Sequence, residues 1–462
     1  MRAQSATQNV AQRPLSTTTP VATRALPQSR NQAAQASKDS FEAPATRNLT
    51  ALGFTRAQVR PEAAAPRAPA QKPMNPQDIK PANWTMFVHL NADNNLESFG
   101  KADMNEMETV GSLEGKVNVI ALVDGGTGQD NNGWTNGTRL MYVTKDPNNS
   151  NKIVSREIAV DPKSDLGKLL AAGKGELDTG SPEVLRAAVD YVQKNIPSEH
   201  FMLDLWDHGN SWKGISYDDR GGDLNMPELQ QALSGLSKKV DIVSADACLM
   251  ASVEVADTAK AVGADWLVGS EELEPGAGWN YNDLLKRMDK LFEGGKKDVT
   301  AEQMSKVIVE SYSTGPKDNV TLSATNLTKL DGLNAKLDSF SDAVLKAGGL
   351  QNKTVRDAYT KALRMDDADQ MDLGDFAKRL AASTTDVKLK GAANELLKSL
   401  ADTTFEKGTK SGKFSAATGL TIYAPRGAVS PDYKQAGSAW LNSRWNDVIK
   451  TYAGSAPTRL AA

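Results

Sequence analysis

The sequence is poor in several residue types, and each shortage excludes a class of protein. Its 462 residues include one cysteine, so no disulfide can form within the chain. No apolar run approaches the length that crosses a bilayer, and we expect no membrane association. Lys and Arg number 54 against 57 Asp and Glu, and they form no long basic block, which argues against nucleic-acid binding. The remaining composition, 39% hydrophobic and 24% charged, is typical of a globular protein.

Hydrophobic periodicity is lacking in residues 1–82. This stretch is rich in Gln, Ala, Ser, Thr and Pro, which predicts a disordered tail, with a propeptide as the alternative. No apolar run follows Arg2, so no secretory signal is readable, and the compartment stays open between the cytoplasm and export by a non-standard route. We expect one folded domain at residues 83–453 and a short tail at 454–462.

The one cysteine, Cys248, lies at a chemically favourable place. Residues 240–243 form an apolar, β-branched run that predicts a buried strand, and the residues after Cys248 have helical spacing. A thiol at the start of a helix lies near the positive end of the helix dipole, which favours the thiolate. A lone cysteine is also a common small core residue, but this position at a strand exit favours reactivity over packing.

His208 follows a second predicted strand, residues 201–207, and precedes Gly209. A helix that opens at Pro227 connects the two strands, and a strand, helix, strand unit pairs its strands in parallel. His208 and Cys248 should therefore emerge at the same edge of the sheet. The other two histidines, His89 and His200, lie in or beside apolar strands, which predicts structural roles.

Further strands are predicted at residues 85–90 and 117–124, a hairpin at 138–160, and a helix from Pro182 to about residue 196. Later strands at 320–325 and 420–424 should complete the sheet, and helices should cover it. The glycine-rich turn at 124–128 lacks the rest of a phosphate-binding motif and is interpreted as a loop. Together these elements predict an α/β fold with a mostly parallel sheet.

Residues 207–209 (Asp-His-Gly) and 246–250 (Asp-Ala-Cys-Leu-Met) resemble the histidine and cysteine motifs of the clostripain family of cysteine peptidases. The resemblance continues, in family order, through residues 84–108, 269–281, 372–376 and 419–423. It implies a caspase-like, mostly parallel sheet flanked by helices, with a helical C-terminal region. It also implies a cysteine endopeptidase.

The resemblance implies a role for each residue of the two motifs. Cys248 would attack the scissile carbonyl, and His208 would protonate the leaving amine and later activate water. The backbone amides of Gly209 and Cys248 would form the oxyanion hole. The implied dyad has no obligatory third carboxylate.

Asp246 is the predicted determinant of substrate preference. Residues two apart in a strand point to one side, so Asp246 should project with Cys248, and a carboxylate pairs bidentately with Arg. The resemblance places an acid here at the base of the specificity pocket, which predicts cleavage after Arg, with Lys as a second possibility. The alternative is that Asp246 caps a helix or bonds local amides. The acidic loop after the strand at 266–270 should line the cleft with three further substrate-binding candidates, Glu271, Glu272 and Trp279.

Self-processing, a family habit, is predicted at Arg220 in the glycine-containing turn 218–222, with Lys213, Lys238 and Lys239 as competitors. Some relatives use calcium, but the oxygen-rich stretches 91–97 and 124–132 lack the spacing of a known calcium loop, so no metal ligand is predicted. We expect a monomer that requires no cofactor and acts on proteins or peptides with basic residues. Whether it depends on calcium stays an open question. The alternatives are a non-catalytic binding protein and a different thiol hydrolase on the same scaffold.

Overall fold

The computed structural model describes residues 72–126, 137–312, 320–405 and 412–453. Its centre is a nine-stranded sheet with the order β10-β8-β7-β6-β5-β1-β2-β3-β4. The strands are β1 (Ala82–Ala92), β2 (Val117–Gly125), β3 (Gly137–Tyr142), β4 (Arg156–Glu157), β5 (Ser198–Trp206), β6 (Ile242–Asp246), β7 (Trp266–Gly269), β8 (Ser323–Asn326), β9 (Gln370–Asp372), β10 (Thr404–Phe405) and β11 (Thr421–Tyr423).

The middle of the sheet is parallel and its edges are antiparallel. Strand β1 pairs in parallel with β2 and β5, and the parallel pairing continues through β6 to β7. Strands β3, β4, β8 and β10 add antiparallel edges. A parallel sheet is covered on both faces, which explains why all eleven residues of β1 are buried. The predicted α/β fold with a mostly parallel sheet is confirmed.

Helices cover both faces of the sheet. They are α1 (Glu97–Glu108), α2 (Asp165–Ala172), α3 (Pro182–Asn195), α4 (Met226–Leu233), α5 (Val253–Ala261), α6 (Tyr281–Leu291), α7 (Ala301–Tyr312), α8 (Leu330–Lys346), α9 (Lys353–Lys361), α10 (Leu373–Ser383), α11 (Val387–Thr403), α12 (Ser438–Leu441) and α13 (Arg444–Lys450). Helix α3 begins as predicted, with the Ser181 side chain accepting a hydrogen bond from the Val184 N–H and with Pro182 in the first turn. None of the helices in the described ranges is long and apolar enough to span a bilayer.

The alternation of side chains along the strands divides the core into two faces. Phe87, Leu122 and Leu205 belong to one buried cluster, whereas Leu90 and Trp206 belong to the other. Because successive strand residues point to opposite faces, the polar residues at the strand ends are also divided between the two faces. This division places two separate groups of carboxylates at the same edge of the sheet.

The C-terminal region is largely helical, as expected, and packs onto the face of the sheet that carries Phe87, Leu122 and Leu205. Trp440 and Trp445 are buried there and belong to the core. One expectation was wrong: β11 does not complete the central sheet but forms a two-stranded antiparallel ladder with β9. Periodicity alone identifies a strand but not its partner.

Packed structure begins before residue 82, the predicted end of the N-terminal tail. Met74 and Ile79 are buried, and Met74 forms a β-bridge with Ile158. The rest of that tail, residues 1–71, and the C-terminal tail at 454–462 lie outside the described residues.

Candidate active site

The two predicted catalytic residues follow neighbouring parallel strands. Trp206 of β5 pairs with Asp246 of β6, and His208 and Cys248 each come two residues later. Because paired strands lie about 4.8 Å apart, the two residues leave the same edge of the sheet side by side. The structure thus brings together the two motifs that the sequence singled out.

Gly209 connects the two motifs by close approach. A Cβ atom at this position would lie 2.4 Å from the backbone oxygen of Cys248 and 3.0 Å from the Cβ of Ala247. No other residue type fits without moving backbone, so glycine is required here by space. Its backbone lies directly against that of the cysteine.

The thiol of Cys248 is covered by the loop that follows β7. The backbone N–H of Glu274 donates a hydrogen bond to Sγ at 3.3 Å. Burial, followed by the negative charges of nearby acids that include Glu272 and Asp246, raises the pKa of the thiol to about 12. The thiol is therefore neutral in this conformation.

The expectation that a helix dipole acts on the thiol was wrong. Helix α5 begins only at Val253, with Ser252 as its N-cap, so a short turn separates Cys248 from the helix. Leu249 in this turn has a φ of 65°, which is unusual for a residue with a branched side chain. Burial beside carboxylates is instead the main influence on the pKa of the thiol.

The imidazole of His208 is held by a residue that the sequence reasoning missed. Nε2 lies 2.7 Å from Oδ1 of Asn95, in the polar segment after β1. Because an amide oxygen only accepts, Nε2 carries the proton and Nδ1 does not. Burial lowers the pKa of His208 to about 4, so the ring is neutral. The only signal for Asn95 in the sequence was its place in a polar run at the exit of a buried strand.

Asp246 is buried close to the thiol of Cys248. Its Oδ2 accepts hydrogen bonds from the backbone N–H of Trp279, at 3.2 Å, and from the hydroxyl of Tyr281, at 2.9 Å. A Cβ at Gly278 would lie 2.9 Å from the same oxygen. The carboxyl group does bond a local amide, as the alternative interpretation expected, but it does not cap helix α5.

Three more buried carboxyl groups surround Asp246. The Tyr281 hydroxyl also lies 2.9 Å from Asp204, and Asp103 accepts a hydrogen bond from the indole of Trp206 at 2.7 Å. A single hydroxyl has one proton, so it can bridge Asp204 and Asp246 only if one of these acids is protonated. Consistently, burial and then the charge of Asp246 raise the pKa of Asp204 to about 7.

Glu274 supplies the fourth carboxyl, and sequence reasoning missed it too. Both of its carboxyl oxygens are buried beside Asp246. Burial, and then the charge of Asp246, raise its pKa well above the usual value. We call Asp103, Asp204, Asp246 and Glu274 the acidic recess.

The three loop residues that were predicted to bind substrate have other contacts. Glu271 accepts a hydrogen bond from the N–H of Gly419, and Glu272 accepts from the N–H of Asp366. The side chain of Trp279 is buried against Tyr281. The loop overhangs the predicted edge, and Glu271 and Glu272 attach it to the C-terminal region. Substrate contact by these three residues stays a prediction.

The other two histidines have the structural contacts that were expected. His89 is fully buried, and its Nε2 lies 2.7 Å from the carbonyl oxygen of Thr179. His200 stacks on Trp84 and lies 3.3 Å from Asp298. His200, Glu199 and Asp298 form a group at the surface with metal-ligand spacing, and a more buried group consists of acids only.

Arg220 lies in the turn where processing was predicted. The turn is closed by a hydrogen bond from the Gly221 N–H to the Asp218 carbonyl. The Arg220 side chain is 44% exposed, and its Nε lies 3.1 Å from Glu176 and 3.5 Å from Asp93. The competing Lys213 is paired with Asp367.

Comparison with known proteins places this arrangement in a family. The model of the clostripain family matches residues 88–450. Clostripain from Hathewaya histolytica is 27% identical over 302 residues, which cover 56% of this chain and 55% of that protein. The match thus spans about half the length of this curated relative.

Two solved structures share the fold. A secreted C11 cysteine protease from Bacteroides thetaiotaomicron, in complex with an irreversible peptide inhibitor, has a TM-score of 0.55 at 18% identity, over 79% of this chain and 99% of that one. An inactive zymogen C11 protease from Parabacteroides distasonis has a TM-score of 0.53 at 18% identity, over 79% and 98%. The caspase-like fold expected from the motifs is confirmed, and the chain belongs to the clostripain family of cysteine peptidases.

Proposed function

We propose that this chain is a cysteine endopeptidase that cleaves after Arg, and secondarily after Lys, with Cys248 and His208 as its dyad. The observation that carries the proposal is the group of buried acids beside the thiol, which includes Asp246 and Glu274, at the edge where both motifs emerge. A recess of acids beside a nucleophile favours a cationic side chain in the residue before the cleaved bond.

The charge state of the recess supports this preference. Asp204 and Glu274 have raised pKa values because they are buried beside Asp246. In this state protons supply the compensating positive charge. A guanidinium group can supply positive charge to Asp246 and bond its two carboxylate oxygens at once, whereas Lys supplies a single ammonium group.

The proposed reaction starts from a neutral pair. The unprotonated Nδ1 of His208 takes the thiol proton as Cys248 attacks the scissile carbonyl carbon. The backbone N–H groups of Gly209 and Cys248 stabilise the oxyanion that forms. The imidazolium then gives its proton to the departing amine, and the neutral ring activates the water that hydrolyses the thioester.

The part of the loop after β7 that contains Glu274, called the Glu274 segment below, has to move before substrate binds. Its backbone N–H is bonded to the nucleophile, and its carboxyl group fills space beside Asp246. Both positions are needed by a peptide with a basic side chain. The conformation described here is therefore a covered state, and opening of this segment precedes catalysis.

Self-processing at Arg220 belongs to the same proposal. The side chain is partly exposed in a turn, but its ion pairs with Glu176 and Asp93 hold it outside the acidic recess. These contacts must break before the bond after Arg220 is cleaved. N-terminal sequencing of the purified enzyme tests this step, because fully active protein that consists only of intact chain would contradict it.

The activity is tested with fluorogenic peptides that carry Arg, Lys, Asn or Asp before the reporter group. We expect turnover of the Arg peptide above the Lys peptide and none of the other two. Cys248→Ala is the control for contaminating proteases. Equal turnover of all four peptides, or activity that survives in the control, would contradict the assignment.

A further inference from the structure

The side chain of Tyr312 is buried beside the acidic recess and the thiol. Tyr312 is the last residue of helix α7, which packs against β7, the strand that precedes the Glu274 segment. The pKa of its hydroxyl is raised well above the usual value by burial and then by the charges of Glu274, Asp246 and Cys248. The hydroxyl is therefore protonated, and it lies close to both the predicted specificity acid and the nucleophile.

The Tyr312 hydroxyl has no hydrogen-bond partner among the described residues, although it is fully buried. Such a group is costly, because it loses its water partners on folding and gains no bond in return. The hydroxyl of Tyr281, in the same buried cluster, differs because it lies 2.9 Å from both Asp204 and Asp246. A spare buried hydroxyl beside the recess points to a group that arrives with the substrate.

An arginine side chain of the substrate needs an acceptor of this kind. A guanidinium group has five N–H donors, and a bidentate pair with the carboxylate of Asp246 uses two of them. The other three enter a buried recess, where an unpaired donor is costly. Glu274 is the first of the charges that act on Tyr312, so a side chain that takes the place of the Glu274 carboxyl also lies beside this hydroxyl.

We propose that Tyr312 is a substrate-binding residue whose hydroxyl oxygen accepts a hydrogen bond from the guanidinium group of the residue before the cleaved bond, and that it sets the preference for Arg over Lys. The inference rests on the proposed function and adds a specificity residue to it. The ammonium group of Lys has three donors on one atom, so pairing with the two oxygens of Asp246 leaves one donor rather than three. The hydroxyl therefore contributes more to the binding of Arg than of Lys.

The test is Tyr312→Phe in the full chain, which removes one oxygen atom and keeps the ring. In steady-state kinetics, kcat/KM should fall at least about tenfold for the fluorogenic Arg peptide and at most about threefold for the Lys peptide. The ratio of the two values should thus fall at least about threefold. In urea melts the unfolding midpoint should be unchanged or higher, because the free enzyme loses no hydrogen bond.

Tyr359→Phe is the matched control for this change. The Tyr359 side chain is equally buried, but its hydroxyl donates a hydrogen bond to the carbonyl oxygen of Pro425 at 2.8 Å, in the C-terminal region. This variant should lower the urea midpoint and leave the ratio of kcat/KM values unchanged. The inference is overturned if Tyr312→Phe keeps the wild-type ratio, lowers the midpoint or fails to fold. A wild-type enzyme that does not turn over the Arg peptide would instead overturn the proposed function, and the inference with it.

Discussion

Replacement of Asp246 by Asn tests the specificity assignment most directly. The change removes one negative charge and keeps the shape and an oxygen that can accept from the Trp279 N–H. Loss of one partner of a buried, hydrogen-bonded charge pair costs about 2–5 kcal/mol. At about 1.4 kcal/mol per factor of ten, kcat/KM for an Arg peptide should fall about 30- to 4,000-fold.

Asp204→Asn is the matched control for this change. Asp204 belongs to the same acidic recess and shares the Tyr281 hydroxyl with Asp246, but it comes from β5 and is fully buried. If Asp246 alone pairs with the substrate, Asp204→Asn should reduce kcat/KM by less than about tenfold. This variant changes a neighbour of Asp246 but leaves the carboxylate that pairs with the substrate in place. Steady-state kinetics with Arg and Lys peptides measure both effects. Equal losses in the two variants would mean that the acids serve the fold, and the pocket assignment would fail.

Three further predictions concern the imidazole, the junction and a buried acid. Asn95→Ala should lower kcat about 10- to 100-fold with little change in KM, because the hydrogen bond that orients His208 is lost. Asn95→Asp keeps an acceptor, so it should restore part of the rate and raise the apparent pKa of the acid limb of the pH–rate profile. Gly209→Ala should cost about 1–3 kcal/mol of unfolding free energy in urea melts, whereas Gly332→Ala, in an open part of α8, should gain about 0.5–1 kcal/mol. Burial raises the pKa of Glu254 to about 7, so its contribution to stability is full below pH 4.5 and is lost as the pH rises to 7. Glu254→Gln should remove about 3 kcal/mol of this pH dependence of the unfolding free energy. If the variant and the wild type lose the same unfolding free energy between pH 5 and pH 8, the prediction is contradicted.

The sequence was sufficient for the strands that carry the site because their residues next to the site are all buried. The buried part of β5, residues 201–206, is apolar except for Asp204, and β6 is apolar except for Ser244 and its last residue, Asp246. The helix between them has its own N-terminal signal at Pro227. Right-handed connection of parallel strands then leaves one arrangement of His208 and Cys248. Local pattern and fold rules were enough here.

The sequence was not sufficient where a contact joins distant segments. Glu271 and Glu272 looked like cleft residues because acids in a loop after a strand are usually solvated, but Glu271 accepts from Gly419, 148 residues later. Asn95 and Glu274 reach the dyad through hydrogen bonds that no periodicity records. The prediction that a helix directly follows Cys248 failed for another reason. Leu249 has a positive φ, which interrupts the regular backbone, and no glycine in the sequence indicates this.

Recognition of the substrate and activation of the nucleophile are coupled in this arrangement. The negative charge of Asp246 is one of the causes that raise the pKa of the Cys248 thiol. A guanidinium group that pairs with Asp246 cancels that charge, and opening of the Glu274 segment admits the substrate to both groups. A cationic side chain therefore favours thiolate formation at the moment when it is bound, whereas a neutral peptide leaves the thiol protonated. It follows that Asp246→Asn should slow turnover of Arg peptides while leaving alkylation of Cys248 by iodoacetamide as fast as before or faster. Slower alkylation in that variant would show that the charge of Asp246 does not oppose the thiolate.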